Sequence, residues 1–193
     1  SITDEKVLNK WIEILSEQSV IAVDTETSSL NPLEADLVGI SFSYAENKAC
    51  YIPLAHKNIK GLKKEIVLKK IKPILEDPSI KKVGQNIKFD FLILSQNNIE
   101  ITPLEDTMLI SYTLDAGTNR HNLDTLSEIH LNHKTISYKE LVGSGKNKLN
   151  FSEIGLEKAT EYAAEDADVT LRLYNYLKTR LDDETKAFGI VTE

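Results

Sequence analysis

One cysteine, one methionine and one tryptophan are all that 193 residues hold of those three types. The lone Cys50 excludes a disulfide within the chain, and its neighbours Ala49, Tyr51 and Ile52 predict a buried thiol. Long apolar runs are also missing. No apolar h-region opens the chain and no uncharged span reaches membrane length, so neither secretion nor membrane insertion is expected and the cytoplasm is the default compartment. Arginine is scarce, with only Arg120, Arg172 and Arg180, so lysine supplies most of the positive charge. A net charge of −7 excludes a broad surface that coats nucleic acid. It leaves room for a small site where metal ions neutralise carboxylates and grip phosphates. There is no internal repeat, low-complexity tract or linker, and the length suits a single domain over residues 1–193.

What is present is organised around Val20-Ile21-Ala22-Val23-Asp24-Thr25-Glu26-Thr27. The apolar run reads as a strand buried on both faces, yet it ends in two carboxylates. Side chains alternate along a strand, so Asp24 and Glu26 share a face, roughly 6.6 Å apart along it. Two such carboxylates repel each other and lose solvation. A divalent cation relieves both penalties, and oxygen-only ligands favour Mg²⁺ or Mn²⁺. By itself the pair is equally consistent with Asp24 opening the turn through Pro32.

The remaining pattern predicts an α/β fold with a mixed sheet. Thr3–Glu17 has helical periodicity with Thr3 as N-cap. Leu37–Tyr44 and Ala49–Leu54 alternate as strands, continuing an antiparallel meander from the acidic strand. Leu62–Glu76 is a lysine-rich helix, with the lysines read as a solvated face. Lys82–Asn86 is a short strand reached by a parallel crossover and leading into a helix over Ile87–Gln96. Ile99–Leu104 reads as another strand, followed by helices over Asp106–Leu114 and Asn122–Leu131. Ser137–Ile154, with mixed polarity, reads as a mobile loop, and Leu156–Leu181 as the last long helix.

Two helices carry acids where packing alone does not place them. Asn86 and Asp90 are four apart, so on a continuous helix both face the strand end. In the last helix Ala159, Tyr162, Ala163, Val169, Leu173 and Leu177 form an apolar stripe, and Asp166 falls inside it, one turn after Tyr162. An acid in such a stripe needs a partner. Gly143–Asn147 lacks the first glycine and the final Ser/Thr of a phosphate-binding loop. His130 and His133 lack the further ligands of a zinc site, and His56 and His121 read as surface or strand-contact residues.

In order and context, D-x-E at Asp24 and Glu26, N-x-x-x-D at Asn86 and Asp90, and Y-x-x-x-D at Tyr162 and Asp166 resemble the three motifs of the DEDDy family of 3′→5′ exonucleases. The likeness extends to the proofreading exonuclease domain of bacterial family A DNA polymerases. It runs through Val38–Ser43, Val83–Asn86, Asp106–Leu109, His133–Ile136, Gly145–Asn147 and Tyr162–Leu173. The resemblance implies a ribonuclease H-like fold, a mixed five-stranded sheet flanked by helices. It implies two divalent cations, Mg²⁺ or Mn²⁺, with Asp24, Glu26 and Asp166 on one and Asp24 bridging to a second on Asp90's side. Tyr162 would orient the attacking water, and Leu30 would wedge between terminal bases. Gln85, Asn86, Arg120 and Tyr138 would contact the strand, Tyr138 by stacking. The implied substrate is the 3′ end of single-stranded DNA, released as nucleoside 5′-monophosphates in proofreading or repair, with a DNA polymerase as partner in cis or in trans. Some polymerases keep the domain and lose the carboxylates; here all four are present. An RNase D-like exoribonuclease and a silent nucleic-acid-binding module are the competing expectations. A free-standing enzyme and a domain cut from a longer polymerase both fit.

Overall fold

A computed structural model describes residues 1–145 and 148–187. Five strands form one sheet in the order β3-β2-β1-β4-β5. Strand β1 (Val20–Thr27) is central; β2 (Leu37–Ala45) runs antiparallel beside it, and β3 (Lys48–Pro53) antiparallel beside β2. On the other side β4 (Lys81–Gly84) and β5 (Leu104–Asp106) continue in parallel. The sheet is mixed and the architecture α/β, as the element order predicts.

Alternation along β1 assigns its residues to two faces. Ile21 and Val23 join Ile40, Phe42 and Ile52 in a core closed by α1 (Glu5–Ser16) and α2 (Lys64–Leu75), through Leu8, Leu15, Val67 and Ile71. Ala22, Asp24 and Glu26 fall on the opposite face, where α7 (Leu156–Ala187) packs against β1, β2, β3 and β4. The seam between α7 and the sheet is built of small side chains. Ser41 and Ser43 on β2 and Ala159, Ala163 and Ala167 on α7 are all fully buried. Small residues let the helix approach closely enough to bring its polar groups onto the end of β1.

Helix α3 (Lys88–Gln96) follows β4, and α4 (Thr107–Asp115) follows β5. Helices α5 (Leu123–Leu131) and α6 (Tyr138–Val142) lead towards α7. Lys82, fully buried in β4, extends its Nζ to the carbonyls of Asp77 (2.7 Å) and Ile74 (3.3 Å) at the end of α2. An ammonium at a helix C-terminus complements the dipole. Burial nevertheless lowers its pKa to about 8.

Several expectations are corrected. The first helix is capped by Asp4, whose carboxylate accepts from the Val7 amide at 2.9 Å, and not by Thr3. The strand expected over Ile99–Leu104 is confined to Leu104–Asp106, because Asn98 takes a left-handed φ of 60° and Ile99 and Ile101 enter the core from an irregular segment. The segment Ser137–Ile154 is not a simple loop. It contains α6, with a capping box between Ser137 and Glu140, and a 3-10 turn over Phe151–Glu153 capped by Asn150. Residues 146 and 147, part of the segment weighed as a phosphate loop, lie outside the described residues. His56 is buried, not on the surface. Its Nε2 lies 2.7 Å from the Tyr51 hydroxyl and its Nδ1 lies 3.2 Å from the Ile154 carbonyl.

Candidate active site

The end of β1 and the middle of α7 meet in a cleft of about 610 Å³. Carboxylate oxygens of Asp24, Glu26 and Asp166 lie within 4.8 Å of one another. No lysine or arginine is bonded to any of the three among the described residues, so their charges are not offset by the protein. Burial pushes the Asp24 carboxyl up to about 6. Glu26 is raised well above its ordinary value by burial first and then by the charges of Asp24, Asp166 and Asp90. Asp166 is raised chiefly by burial and by Asp24. Three oxygen donors that share a strained charge balance fit a hard divalent cation and suit no soft metal.

Asp90 comes from the first turn of α3, beside the end of β1. One of its oxygens accepts from the Thr25 amide (2.9 Å) and from the Thr25 hydroxyl (2.5 Å). A backbone amide points sideways from its strand, so Asp90 is held at the edge of β1 beyond its pairing with β4 and is not within the compact triad. Its pKa is still raised, by burial and then by the charge of Asp24. The expected shared helical face of Asn86 and Asp90 does not form. Asn86 precedes α3 with a left-handed φ of 59°, and its side chain is exposed. The tight link is fastened by Asp106, whose carboxylate accepts from the amides of Asn86 (3.0 Å), Ile87 (3.1 Å) and Met108 (2.9 Å).

Tyr162 lines the cleft beside Asp166, with the Tyr138 and Phe151 rings at 6.0 and 6.1 Å from its own. Burial, and then the charges of Asp166, Glu26 and Asp24, raise its pKa, so the phenol keeps its proton. Leu30 is 81% exposed at the cleft rim, and Tyr138 forms part of the wall. The other three expected contacts lie outside this lining. Gln85 donates to the His121 carbonyl (2.7 Å) and accepts from the Thr107 hydroxyl (2.5 Å), so both ends of its amide are engaged within the protein. Arg120 is exposed in the segment before α5.

Sequence reasoning missed Thr25, because alternation alone assigns it to the face opposite the acids. It also missed Glu165, which accepts from His133 Nε2 (2.9 Å) and from the Ile136 amide (2.7 Å). Those bonds tie the segment leading to Tyr138 onto α7. The H-x-x-I spacing at His133 and Ile136 carries no signal for such a link until the fold is known.

A mixed five-stranded sheet with two acids on its central strand, a third on the helix packed against it and a tyrosine one turn from that helical acid defines a class of nuclease fold. The 3′-5′ exonuclease family model matches residues 1–182, and the chain belongs to that family. It is 44% identical to DNA polymerase I of Rhizobium leguminosarum over 94% of the chain and 20% of that protein. It is 41% identical to DNA polymerase I of Pseudomonas aeruginosa over 100% of the chain and 22% of that protein. The chain therefore spans about a fifth of the length of these relatives. Its fold is similar to that of Escherichia coli RNase D, with a TM-score of 0.71, 21% identity, and coverage of 97% of this chain and 45% of that one. Brucella melitensis NrnC gives a TM-score of 0.68 at 24% identity, covering 91% of this chain and 79% of that one. These neighbours are exonuclease domains of the ribonuclease H-like fold. Among the described residues no helix is long and apolar enough to cross a membrane.

Proposed function

We propose that residues 1–193 act as one exonuclease domain that hydrolyses single-stranded DNA from its 3′ end, releasing nucleoside 5′-monophosphates in proofreading or repair. A DNA polymerase, in cis or in trans, is its partner. The observation that carries this reading is the uncompensated triad Asp24, Glu26 and Asp166 set beside a protonated Tyr162. Asp24, Glu26 and Asp166 would hold a divalent cation, Mg²⁺ or Mn²⁺, with Asp90 towards a second; such cations would supply charge to the attacking and leaving oxygens of in-line phosphoryl displacement.

The chain's own residues provide the rest. The Tyr162 hydroxyl, kept neutral by its surroundings, holds and aims the attacking water; it does not act as a base, since an unperturbed phenol already titrates near 10. Leu30, projecting from the rim, wedges between the terminal bases, and the Tyr138 ring offers a stacking surface. Thr25 fixes Asp90 in one orientation through two hydrogen bonds. Gln85, Asn86 and Arg120 border the strand further from the reacting end. The two hydrogen bonds of Gln85 suit it to tying the segment before α5 to α4, through His121 and Thr107, more than to gripping substrate.

End-labelled DNA and RNA single strands incubated with Mg²⁺, Mn²⁺ or EDTA test the assignment. Stepwise shortening of DNA from the 3′ end, abolished by EDTA, is the expected result. Preferential shortening of RNA would favour the RNase D-like reading instead. Binding without hydrolysis under every metal condition would leave a silent binding module.

A further inference from the structure

A cleft floored by carboxylates is a poor place for a polyanion unless some cation offsets the repulsion. Among the described residues lining the cleft, Lys148 is the only lysine or arginine. It is exposed, and among the described residues its ammonium forms no ion pair with any acid. Its Nζ instead stands over the Tyr138 ring, 5.7 Å from the centroid. Such a contact at an exposed position is weak and readily exchanged for a better partner. The backbone that carries it is anchored. Leu149 donates its amide to the Val142 carbonyl at 2.9 Å, and Asn150 donates Nδ2 to the Ser28 carbonyl at 2.7 Å. Those bonds hold the root of the side chain at the rim, between α6 and the segment that follows β1.

We propose that Lys148 is a substrate-binding residue whose ammonium engages a backbone phosphate of the single strand, next to the base that stacks on Tyr138. The proposal rests on the nucleic-acid reading of the cleft. In a molecule of net charge −7, one aimed cation sets the register of the strand without a coating surface. The lysine leaves the ring as the base arrives and turns to the phosphate beside it. Binding then depends on salt through this residue, because each neutralised phosphate of a single strand contributes about 0.7 to the slope of log affinity against log salt.

The test uses the intact chain, a fluorescent single-stranded oligonucleotide and Ca²⁺, with the dissociation constant measured across a range of NaCl. Lys148→Gln is expected to lower the slope by about 0.7 and to weaken binding several-fold at low salt. In turnover with Mg²⁺ the loss falls on KM, with kcat changed less than twofold. Lys148→Arg restores both the slope and the affinity. An unchanged slope in Lys148→Gln overturns the proposal, whether affinity is kept or falls equally at all salt concentrations. In the latter case the lysine acts only by packing on Tyr138. Failure of the parent reading is seen separately, since wild-type protein would then show no salt-dependent binding of the oligonucleotide.

Discussion

Stripping divalent cations from the protein should make it less stable as the pH rises, the reverse of ordinary acid denaturation. Asp24, Glu26, Asp90 and Asp166 all titrate above their unfolded values. The folded chain thus holds protons that the unfolded chain releases, so stability is full below about pH 4 as far as these groups are concerned and falls as each ionises. For Asp24 alone, the rise from 3.8 to about 6 corresponds to roughly 3 kcal/mol lost across that window. The three other acids, raised as well, add to the fall. For a chain of this size, about 3 kcal/mol corresponds to roughly 6–12 °C of melting temperature.

Thermal melts of EDTA-treated protein from pH 4 to pH 8, with and without millimolar Mn²⁺, measure the effect. Asp24→Asn isolates the contribution of Asp24 from other titrating groups. In the absence of metal this variant should be the more stable protein at pH 8, with the difference vanishing near pH 4. Cation binding should displace the shared protons, so the gain from Mn²⁺ should grow with pH, reaching about 1.4 kcal/mol at free metal ten times the dissociation constant. If EDTA-treated wild type melts at the same temperature at pH 5 and pH 8 and ignores Mn²⁺, the acids are compensated within the protein and the metal reading fails.

Tyr162→Phe keeps the ring against Tyr138 and Phe151 and removes only the hydroxyl. Turnover should fall roughly 10-fold or more, as expected for losing one hydrogen bond to a charged or charge-developing partner, while the Mn²⁺-induced rise in melting temperature is retained. An equal loss of both would make Tyr162 scaffold instead. Thr25→Val removes one of the two bonds that hold Asp90 and should destabilise the protein by about 1–3 kcal/mol in chemical denaturation. Full activity and stability in that variant would show that the amide alone positions the acid. Gly39→Ala should destabilise by roughly 3 kcal/mol or more, because the new methyl would fall 2.0 Å from the Tyr51 hydroxyl and 2.3 Å from its ring. Tyr51→Phe in the same background should recover part of that loss; no recovery would place the clash elsewhere.

The elements that sequence reasoning located best are those with a strong period. The acidic strand, the meander and the long last helix announce themselves through alternation or a 3.6-residue stripe, and Asp166 stands out because the stripe around it is apolar. Short or aperiodic elements were hidden. Strand β5 is three residues long, too short for any period, and Ile99 and Ile101 mimic a strand just before it. Helix α6 is five residues long and depends on its Ser137–Glu140 capping box, which sits among polar residues that otherwise read as loop. The site was legible as a set of acids, and its division between a compact triad and an Asp90 held at the strand edge was not. Alternation states which residues of β1 share a face, but which helix covers which face is a property of the sheet order. His56 was misplaced for a similar reason. A lone histidine in a polar stretch gives no sign of the tyrosine and carbonyl that bury it.

Because Asp90 is carried by α3 and the triad by β1 and α7, the site answers to two different interiors. Asp24, Glu26 and Asp166 keep their spacing as long as the small-residue seam between the sheet and α7 stays closed. Asp90 keeps its place only while α3 stays seated through Leu94 in the core shared with α1 and α2. Damage on one side therefore need not be felt equally on the other. A substitution deep beneath α3, touching none of the acids, would move Asp90 and leave the triad intact. Distant changes in this chain should therefore fall into two groups, separable by whether Asp90 or the triad is displaced.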